Sequence, residues 1–238
     1  MSALAIEDIV RVVIGHLGVS EMYACRSVNK LFMKAVDLKI EVMARGDIIR
    51  LLIGCTKIGV GALEWIYREG KLTREDLMDH DNLILRWMCM KGSLYVVQWL
   101  DLKCKFTRGE LMANDNLVFV RACMHGNLDV AQWIDRKCKF TREELVDRGN
   151  RIFLLACQNG HLNIAQWVDG KCGLTRDELM TKHNLTFILA CDDDYLELVY
   201  WLVARCRFTE EECMDALRRS EAGVDDAREW LMRVCALI

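Results

Sequence analysis

The hydrophobic and polar positions of this 238-residue chain repeat with a period of 34 residues. The segment "CKFTREEL", which begins at residue 138, returns in related form at 70, 104, 172 and 206. One tryptophan position recurs in the same register, at Trp65, Trp99, Trp133, Trp167 and Trp201. A fixed period of this length predicts an array of stacked structural units in which these tryptophans are structural repeat positions.

Each unit contains three segments with helical patterning. In the unit that starts at residue 150, apolar residues recur every three or four positions until Gly160 ends a first helix. The following "HLNIAQWVD" predicts a second helix with one broad apolar face. A capping-box spacing predicts a third, short helix, and it occurs at Thr107 with Glu110, Thr141 with Glu144 and Thr175 with Glu178. Asparagines at the head of the units are predicted N-caps of the first helix, at Asn82, Asn116, Asn150 and Asn184.

The residues around the turn glycine indicate the type of array, because tetratricopeptide repeats share the same period. "ACMHGNLDVAQWI" and "ACQNGHLNIAQWV" resemble the helix-turn-helix of ankyrin repeats. The resemblance implies an all-α, ankyrin-like helical solenoid over residues 46–238, with about five repeats and a shortened C-terminal cap. A short capped helix replaces the β-hairpin of that family. Tryptophan occupies a position where ankyrin repeats usually have leucine. In this respect the array resembles the divergent arrays common in large DNA viruses of amoebae.

The first 45 residues lie outside the period and predict a pair of amphipathic helices. The segment from 5 to 36 contains "VNKLF" and resembles an F-box, although Ala5 and Ile6 replace the leucine and proline of that family. The resemblance implies that these helices bind the Skp adaptor of cullin-based ubiquitin ligases. The implied docking face consists of Ile9, Val13, Leu17, Met22, Val28 and Phe32. The same apolar stripe could instead cap the first repeat.

Charge and composition narrow the classes of partner and compartment. The formal net charge is −3 with 53% hydrophobic residues, so bulk electrostatics indicate neither nucleic acid nor an anionic membrane as a partner. The sequence shows no secretion signal and no apolar run of about 18 residues. We therefore expect an intracellular protein of the cytoplasm or nucleus, in the host cell if the source is viral. Its twelve cysteines should then be thiols.

Cysteine and histidine recur in the repeats, and both side chains can bind metal ions. The chain contains neither a Cys-x-x-Cys motif nor a paired-histidine motif, and equivalent residues of successive repeats lie too far apart to share an ion. Nucleophile elbows and phosphate-binding loops are also missing from the sequence. We therefore predict no metal, no cofactor and no catalysis by this chain.

Basic residues recur around the motif cysteine and could form a ridge along the array. They are Lys103, Lys105, Arg108, Lys137, Lys139, Arg142, Lys171, Arg176, Arg205 and Arg207. Such a ridge could receive an acidic partner. Alternatively, glutamates of the same helices neutralise it through local pairs, and we favour this second interpretation.

Positions that differ between repeats are the candidates for partner binding, because positions needed for stacking recur. The pair before the turn varies, and so does the residue three positions before that pair. The resulting candidates are Trp87, Met90, Lys91, Arg121, Met124, His125, Gln158, Asn159, Asp192 and Asp193. The sequence thus predicts a protein-interaction module, as a substrate-receptor subunit that links a target to a Skp/cullin-type ubiquitin ligase. The alternative is a scaffold protein whose N-terminal helices only cap the array.

Overall fold

The computed structural model of the chain describes residues 60–68, 72–193 and 195–219. Regular secondary structure in these ranges is entirely helical, which confirms the predicted all-α class. The helices are α1 (Val60–Arg68), α2 (Arg74–Met90), α3 (Leu94–Cys104), α4 (Arg108–Met124), α5 (Leu128–Cys138), α6 (Arg142–Gln158), α7 (Leu162–Cys172), α8 (Arg176–Leu179), α9 (Thr181–Asp192), α10 (Leu196–Cys206) and α11 (Glu210–Arg219). The predicted F-box-like helices, their boundary at residue 45 and the shortened C-terminal cap lie outside the described residues.

The chain divides into two compact units, one ending at Val118 and one beginning at Phe119, so that the boundary falls inside α4. In the first unit, α2 packs against α3, and α1 also contacts α3. In the second unit, α6 packs against α7 and α9, and α9 in turn contacts α10 and α11. Each unit therefore contains the neighbour-to-neighbour packing that the sequence period predicts.

Helices α2, α4 and α6 each contain the short helix of one repeat followed by the first long helix of the next, and the junction between these two segments differs from the prediction. Asn82, Asn116 and Asn150 have positive φ angles of 57°, 59° and 61°. An N-cap residue normally has an extended backbone, so the predicted N-cap role of these asparagines is wrong. Asparagine suits the break because its short polar side chain lets it adopt the left-handed conformation more easily than most residues. The side chain of Asn184 lies outside the described residues.

The predicted capping boxes are confirmed in both units. The Thr141 hydroxyl accepts the N–H of Glu144 at 3.2 Å, and the Glu144 carboxylate accepts the N–H of Thr141 at 2.9 Å. The same reciprocal pair occurs at Thr107 with Glu110 and at Thr175 with Glu178. These bonds satisfy two of the N–H groups that a helix start leaves without partners.

The arginine of the same motif connects its repeat to the next one. In the second unit, Arg142 Nε donates to the carbonyl oxygen of Cys172 at 2.9 Å, and its Nη2 lies 2.8 Å from both carboxylate oxygens of Glu178. Arg176 makes the equivalent contacts with Cys206 and Glu212. Because Cys172 and Cys206 are the last residues of α7 and α10, each arginine binds a helix end whose carbonyls lack helical partners.

The first unit contains the same contact at Arg74. Its Nε donates to the carbonyl oxygen of Cys104 at 3.0 Å, and its Nη2 lies 3.8 Å from Glu110. The final motif, "FTEEEC", carries Glu210 in place of the arginine. The glutamate of this last motif, Glu212, still receives Arg176 from the preceding repeat. The last motif thus keeps the glutamate that accepts an arginine from the preceding repeat, but it lacks the arginine that would bind a following one.

The second long helix of each repeat is called its outer helix below, and these are α1, α3, α5, α7 and α10. A second set of ion pairs joins α1 with α3, α5 with α7 and α7 with α10. Lys171 Nζ lies 2.7 Å from Asp135, and Arg205 Nε lies 2.7 Å from Asp169. In the first unit, Lys103 Nζ lies 3.0 Å from Glu64 and 5.1 Å from the centre of the Tyr67 ring. These pairs neutralise part of the predicted basic ridge, as we expected. The expectation that the acids belong to the same helix is wrong for them, since the partners lie 36 or 39 positions away.

The core is built from the repeated alanine, cysteine and aromatic positions. Phe119, Phe153 and Phe187 are fully buried. The rings of Trp167 and Trp201 pack against Phe119 and Phe153, with ring centres 6.2 Å apart in both pairs. Among the five tryptophans, Trp65 and Trp99 are buried, whereas Trp133, Trp167 and Trp201 are half-buried. The tryptophans therefore link successive repeats from the margin of the core.

The motif cysteines are buried thiols. Cys104, Cys138, Cys172 and Cys206 each end an outer helix, and none of them forms a disulfide. Burial raises the pKa of Cys104 and of Cys206 to about 11, so neither thiol forms a thiolate near neutral pH. These residues are therefore packing groups.

A left-handed residue follows each of these cysteines. Lys105, Lys139 and Arg207 have φ angles of 51°, 51° and 50°, and Gly173 occupies the same position with a φ of 57°. A Cβ added at Gly173 would find no atom within 4 Å, so crowding does not require glycine there. Lys105, Lys139 and Arg207 therefore carry a backbone strain in this conformation that Gly173 avoids.

We expect Lys139→Gly to raise the free energy of unfolding by about 0.5–1 kcal/mol, because it relieves that strain and the exposed Lys139 side chain packs on little else. Gly173→Lys is the matched converse and should lower it by a similar amount. Urea denaturation of both variants and the parent measures the two changes. A stabilised Gly173→Lys or a destabilised Lys139→Gly would contradict this explanation.

Candidate protein-interaction surface

The turns between the two long helices of each repeat lie side by side in the second unit. His161, which precedes α7, donates from Nε2 to the carbonyl oxygen of Met124 at 3.0 Å. Asn163 donates from Nδ2 to the carbonyl oxygen of Gly126 at 3.3 Å. These bonds fix the turn after α4 against the beginning of α7, so the ends of successive long helices form one edge of the unit.

The glycine at each turn allows this close approach. Gly126 and Gly160 have φ angles of +72° and +69°. A Cβ added at Gly126 would lie 2.6 Å from the His161 ring, and one at Gly160 would lie 2.6 Å from the Tyr195 ring. Both the backbone conformation and the neighbouring repeat therefore exclude a side chain at the turn.

Six of the ten predicted target-binding residues have described side chains at this edge of the second unit. Arg121 and Met124 lie half-buried at the end of α4, and His125 follows them exposed. Gln158 and Asn159 lie half-buried at the end of α6, and Asp193 follows α9 exposed. The side chain of Asp192 lies outside the described residues. The structure therefore brings the variable positions of three repeats together.

The remaining predicted residues lie in the first unit at the end of α2. Trp87, Met90 and Lys91 are all half-buried. The Lys91 ammonium lies 5.8 Å from the centre of the Trp87 ring, which is within the range of a cation–π contact. This group presents an aromatic surface and a positive charge.

Sequence comparison missed the apolar members of this edge. Leu154 and Leu155 in α6 and Ile188 and Leu189 in α9 are half-buried. Leu155 and Leu189 occupy the same repeat position as Trp87 and Arg121, and the residue at that position differs between repeats. The variation at this repeat position could have identified the two leucines as well. It did not, because a leucine in a helix is normally assigned to the core. We refer to Arg121, Met124, His125, Leu155, Gln158, Asn159, Leu189 and Asp193 as the turn edge.

Local contacts set the charge of the turn edge. Partial loss of solvent around the ring, and then electrostatic repulsion from Arg121 and from His161, lower the pKa of His125 below its ordinary value. His125 is therefore mainly neutral at pH 7, and Arg121 carries the positive charge of this end. The Asn159 side chain already makes one hydrogen bond at the end of its own helix, since its Nδ2 donates to the carbonyl oxygen of Leu155 at 2.8 Å.

Arg121 and Asp193 differ from the charges that connect the repeats. Arg142, Arg176, Lys171 and Arg205 all form ion pairs with a neighbouring repeat. Within the described ranges of the second unit, neither Arg121 nor Asp193 forms an ion pair. Their charges remain available to a molecule that binds at the turn edge.

The chemistry of the turn edge suits binding. It combines half-buried leucines and a methionine with charged and amide groups, which is the composition typical of a protein-binding surface. In the part of the chain that the structure describes, no three histidine, cysteine, aspartate or glutamate residues are grouped so that they could hold a metal ion. Nor is any helix within those ranges long and apolar enough to cross a membrane.

No protein-family model, no curated protein and no solved structure matches this chain. The function proposed below therefore rests on the contacts between the repeats and on the chemistry of the turn edge.

We expect Gly160→Ala to lower the free energy of unfolding by more than about 1 kcal/mol, because alanine tolerates the positive φ poorly and its methyl group meets the Tyr195 ring. Gly170→Ala in the exposed part of α7 is the matched control, since its Cβ would find no atom within 4 Å. That variant should be stabilised by up to about 1 kcal/mol, the helix preference of alanine over glycine. Equal unfolding midpoints for the two variants, measured in urea, would show that the turn tolerates a side chain.

Proposed function

We propose that the chain is a protein-interaction module whose repeats form an ankyrin-like helical solenoid and whose turn edge holds the partner. One observation carries this proposal: the recurring Arg142, Arg176, Lys171 and Arg205 form inter-repeat pairs, while the variable residues gather on one edge. In repeat proteins, recurring positions maintain stacking and variable positions recognise partners. Binding, and not catalysis, is therefore the function that we assign to the chain.

We further propose that the module is the target-binding part of a substrate receptor for a Skp/cullin-type ubiquitin ligase. The support is the F-box resemblance of the N-terminal segment, which precedes the array and lies outside the described residues. The turn edge would hold the target, and the N-terminal helices would hold the adaptor. If those helices only cap the array, the chain is a scaffold protein, and the same turn edge serves its partner.

The binding role can be tested with the intact chain as bait for proteins of its source cell. Leu155→Asp combined with Leu189→Asp should abolish the recovery of specific partners, because it places two carboxylates in the apolar part of the turn edge. Gln166→Asp, at an exposed position of α7, is the control and should recover the same partners as the parent. Quantitative mass spectrometry of the three purifications provides the comparison. Identical recoveries from the double variant and the parent would assign binding to another surface.

The adaptor role requires a separate test with purified components. We expect the intact chain to form a complex with a Skp-type adaptor on size-exclusion chromatography. Val28→Ala combined with Phe32→Ala should abolish this complex, since both residues belong to the implied docking face. The Leu155→Asp, Leu189→Asp variant should still bind the adaptor, which separates the two surfaces. Failure of the unaltered chain to bind the adaptor would leave the scaffold role in its place.

A further inference from the structure

The two ends of the turn edge have opposite charge. Arg121 stands at the end of α4, and Asp193 follows α9, two repeats later. Between them, α6 contributes Leu155 and Gln158, which are uncharged and half-buried. The order along the second unit is therefore positive, apolar and negative.

The two charged residues differ from those that join the repeats. Charges that hold the repeats together in this unit are matched by an opposite charge of a neighbouring repeat, with separations of 2.7 Å for Lys171 and Asp135 and for Arg205 and Asp169. Arg121 and Asp193 form no ion pair among the described residues of the unit. Because an unmatched charge beside apolar side chains gains most from an opposite charge, a bound molecule should supply both complements.

The spacing limits the size of that molecule. Packed helices lie about 8–10 Å apart, so two repeat spacings separate the charged ends by about 16–20 Å. An extended polypeptide rises about 3.3 Å per residue, so about six residues of an extended chain span this distance. An inorganic ion or a small metabolite is too short to contact both ends.

Resting on the proposed binding function, we propose that the partner of the turn edge is an extended polypeptide segment with an acidic end, an apolar centre and a basic end. The acidic end lies at Arg121, the apolar side chains pack on Leu155 and Leu189, and the basic end lies at Asp193. Recognition depends on both charges having the correct separation. A segment with the same charge at both ends therefore binds more weakly.

Selection from a random dodecapeptide display library on the intact protein tests the proposal without a known partner. Peptides are retained if they bind the parent and not the Leu155→Asp, Leu189→Asp variant, whose folding is first checked by its thermal melting curve. We expect the retained peptides to carry acidic and basic residues about six positions apart on either side of apolar residues. Retained peptides without such opposed charges would overturn this proposal and leave the proposed function intact. If every peptide that binds the parent also binds the variant, so that none is retained, both the polarity and the turn edge as a binding site are overturned.

Three synthetic peptides built on one selected apolar centre give the quantitative test by fluorescence anisotropy. One has an acidic and a basic end, one has two acidic ends, and one has two basic ends. The parent should bind the first peptide about tenfold more tightly than either of the others, because each mismatched end replaces an attraction by a repulsion. The preference should shrink as salt is raised.

Charge reversal at either end should switch this preference in a defined direction. Arg121→Glu should favour the peptide with two basic ends. Asp193 stands between Asp192 and Asp194 in the sequence, so the reversal at that end combines Asp193→Lys with Asp192→Asn and Asp194→Asn, and this variant should favour the peptide with two acidic ends. Arg136→Glu, an exposed reversal on the outer helix α5, is the control and should keep the preference of the parent. If all three variants rank the peptides as the parent does, the charges of the turn edge do not select the partner.

Discussion

The contact between an arginine of one repeat and the helix end of the next is the interaction on which the array depends. Arg142 places one donor on the last helical carbonyl of α7 and another on the carboxylate of Glu178. A cation at a helix C-terminus is favourable because the carbonyls there carry partial negative charge and lack helical partners. The same side chain therefore satisfies a backbone group and fixes the position of the neighbouring capping box.

The capping glutamate has two functions at once. Glu178 accepts the N–H of Thr175 at 2.8 Å and also receives Arg142. These two partners hold the pKa of Glu178 below its ordinary value, the Thr175 N–H being the larger cause. Helix initiation in one repeat and attachment of the repeat before it are thus coupled through one carboxylate. This coupling explains why threonine, arginine and glutamate recur together, and why a motif that resembles a binding site is structural.

This division of roles positions the candidate binding surface. Paired charges and cysteines maintain the stacking of the helices, while glycine turns bring His161 and Tyr195 of one repeat against the turn of the preceding one. The turn edge is therefore presented by a framework whose inter-repeat ion pairs come from other residues. Arg121, Leu155 and Leu189 occupy one repeat position and can differ in chemistry because stacking does not depend on them.

The sequence alone determined the helical class, the capping boxes and the glycine turns, because each follows from local spacing within a few residues. It also determined the repeat period, because the same residues return every 34 positions. It did not determine which charges pair. Lys171 meets Asp135, a residue 36 positions earlier, and this offset from the 34-residue period reflects the stacking of one helix on another. The left-handed asparagines, the half-exposed Trp133, Trp167 and Trp201, and the grouping of Arg121 with Leu155 and Asp193 likewise depend on neighbours distant in the chain. Only the tertiary structure decides them, since burial and pairing are properties of packed surfaces.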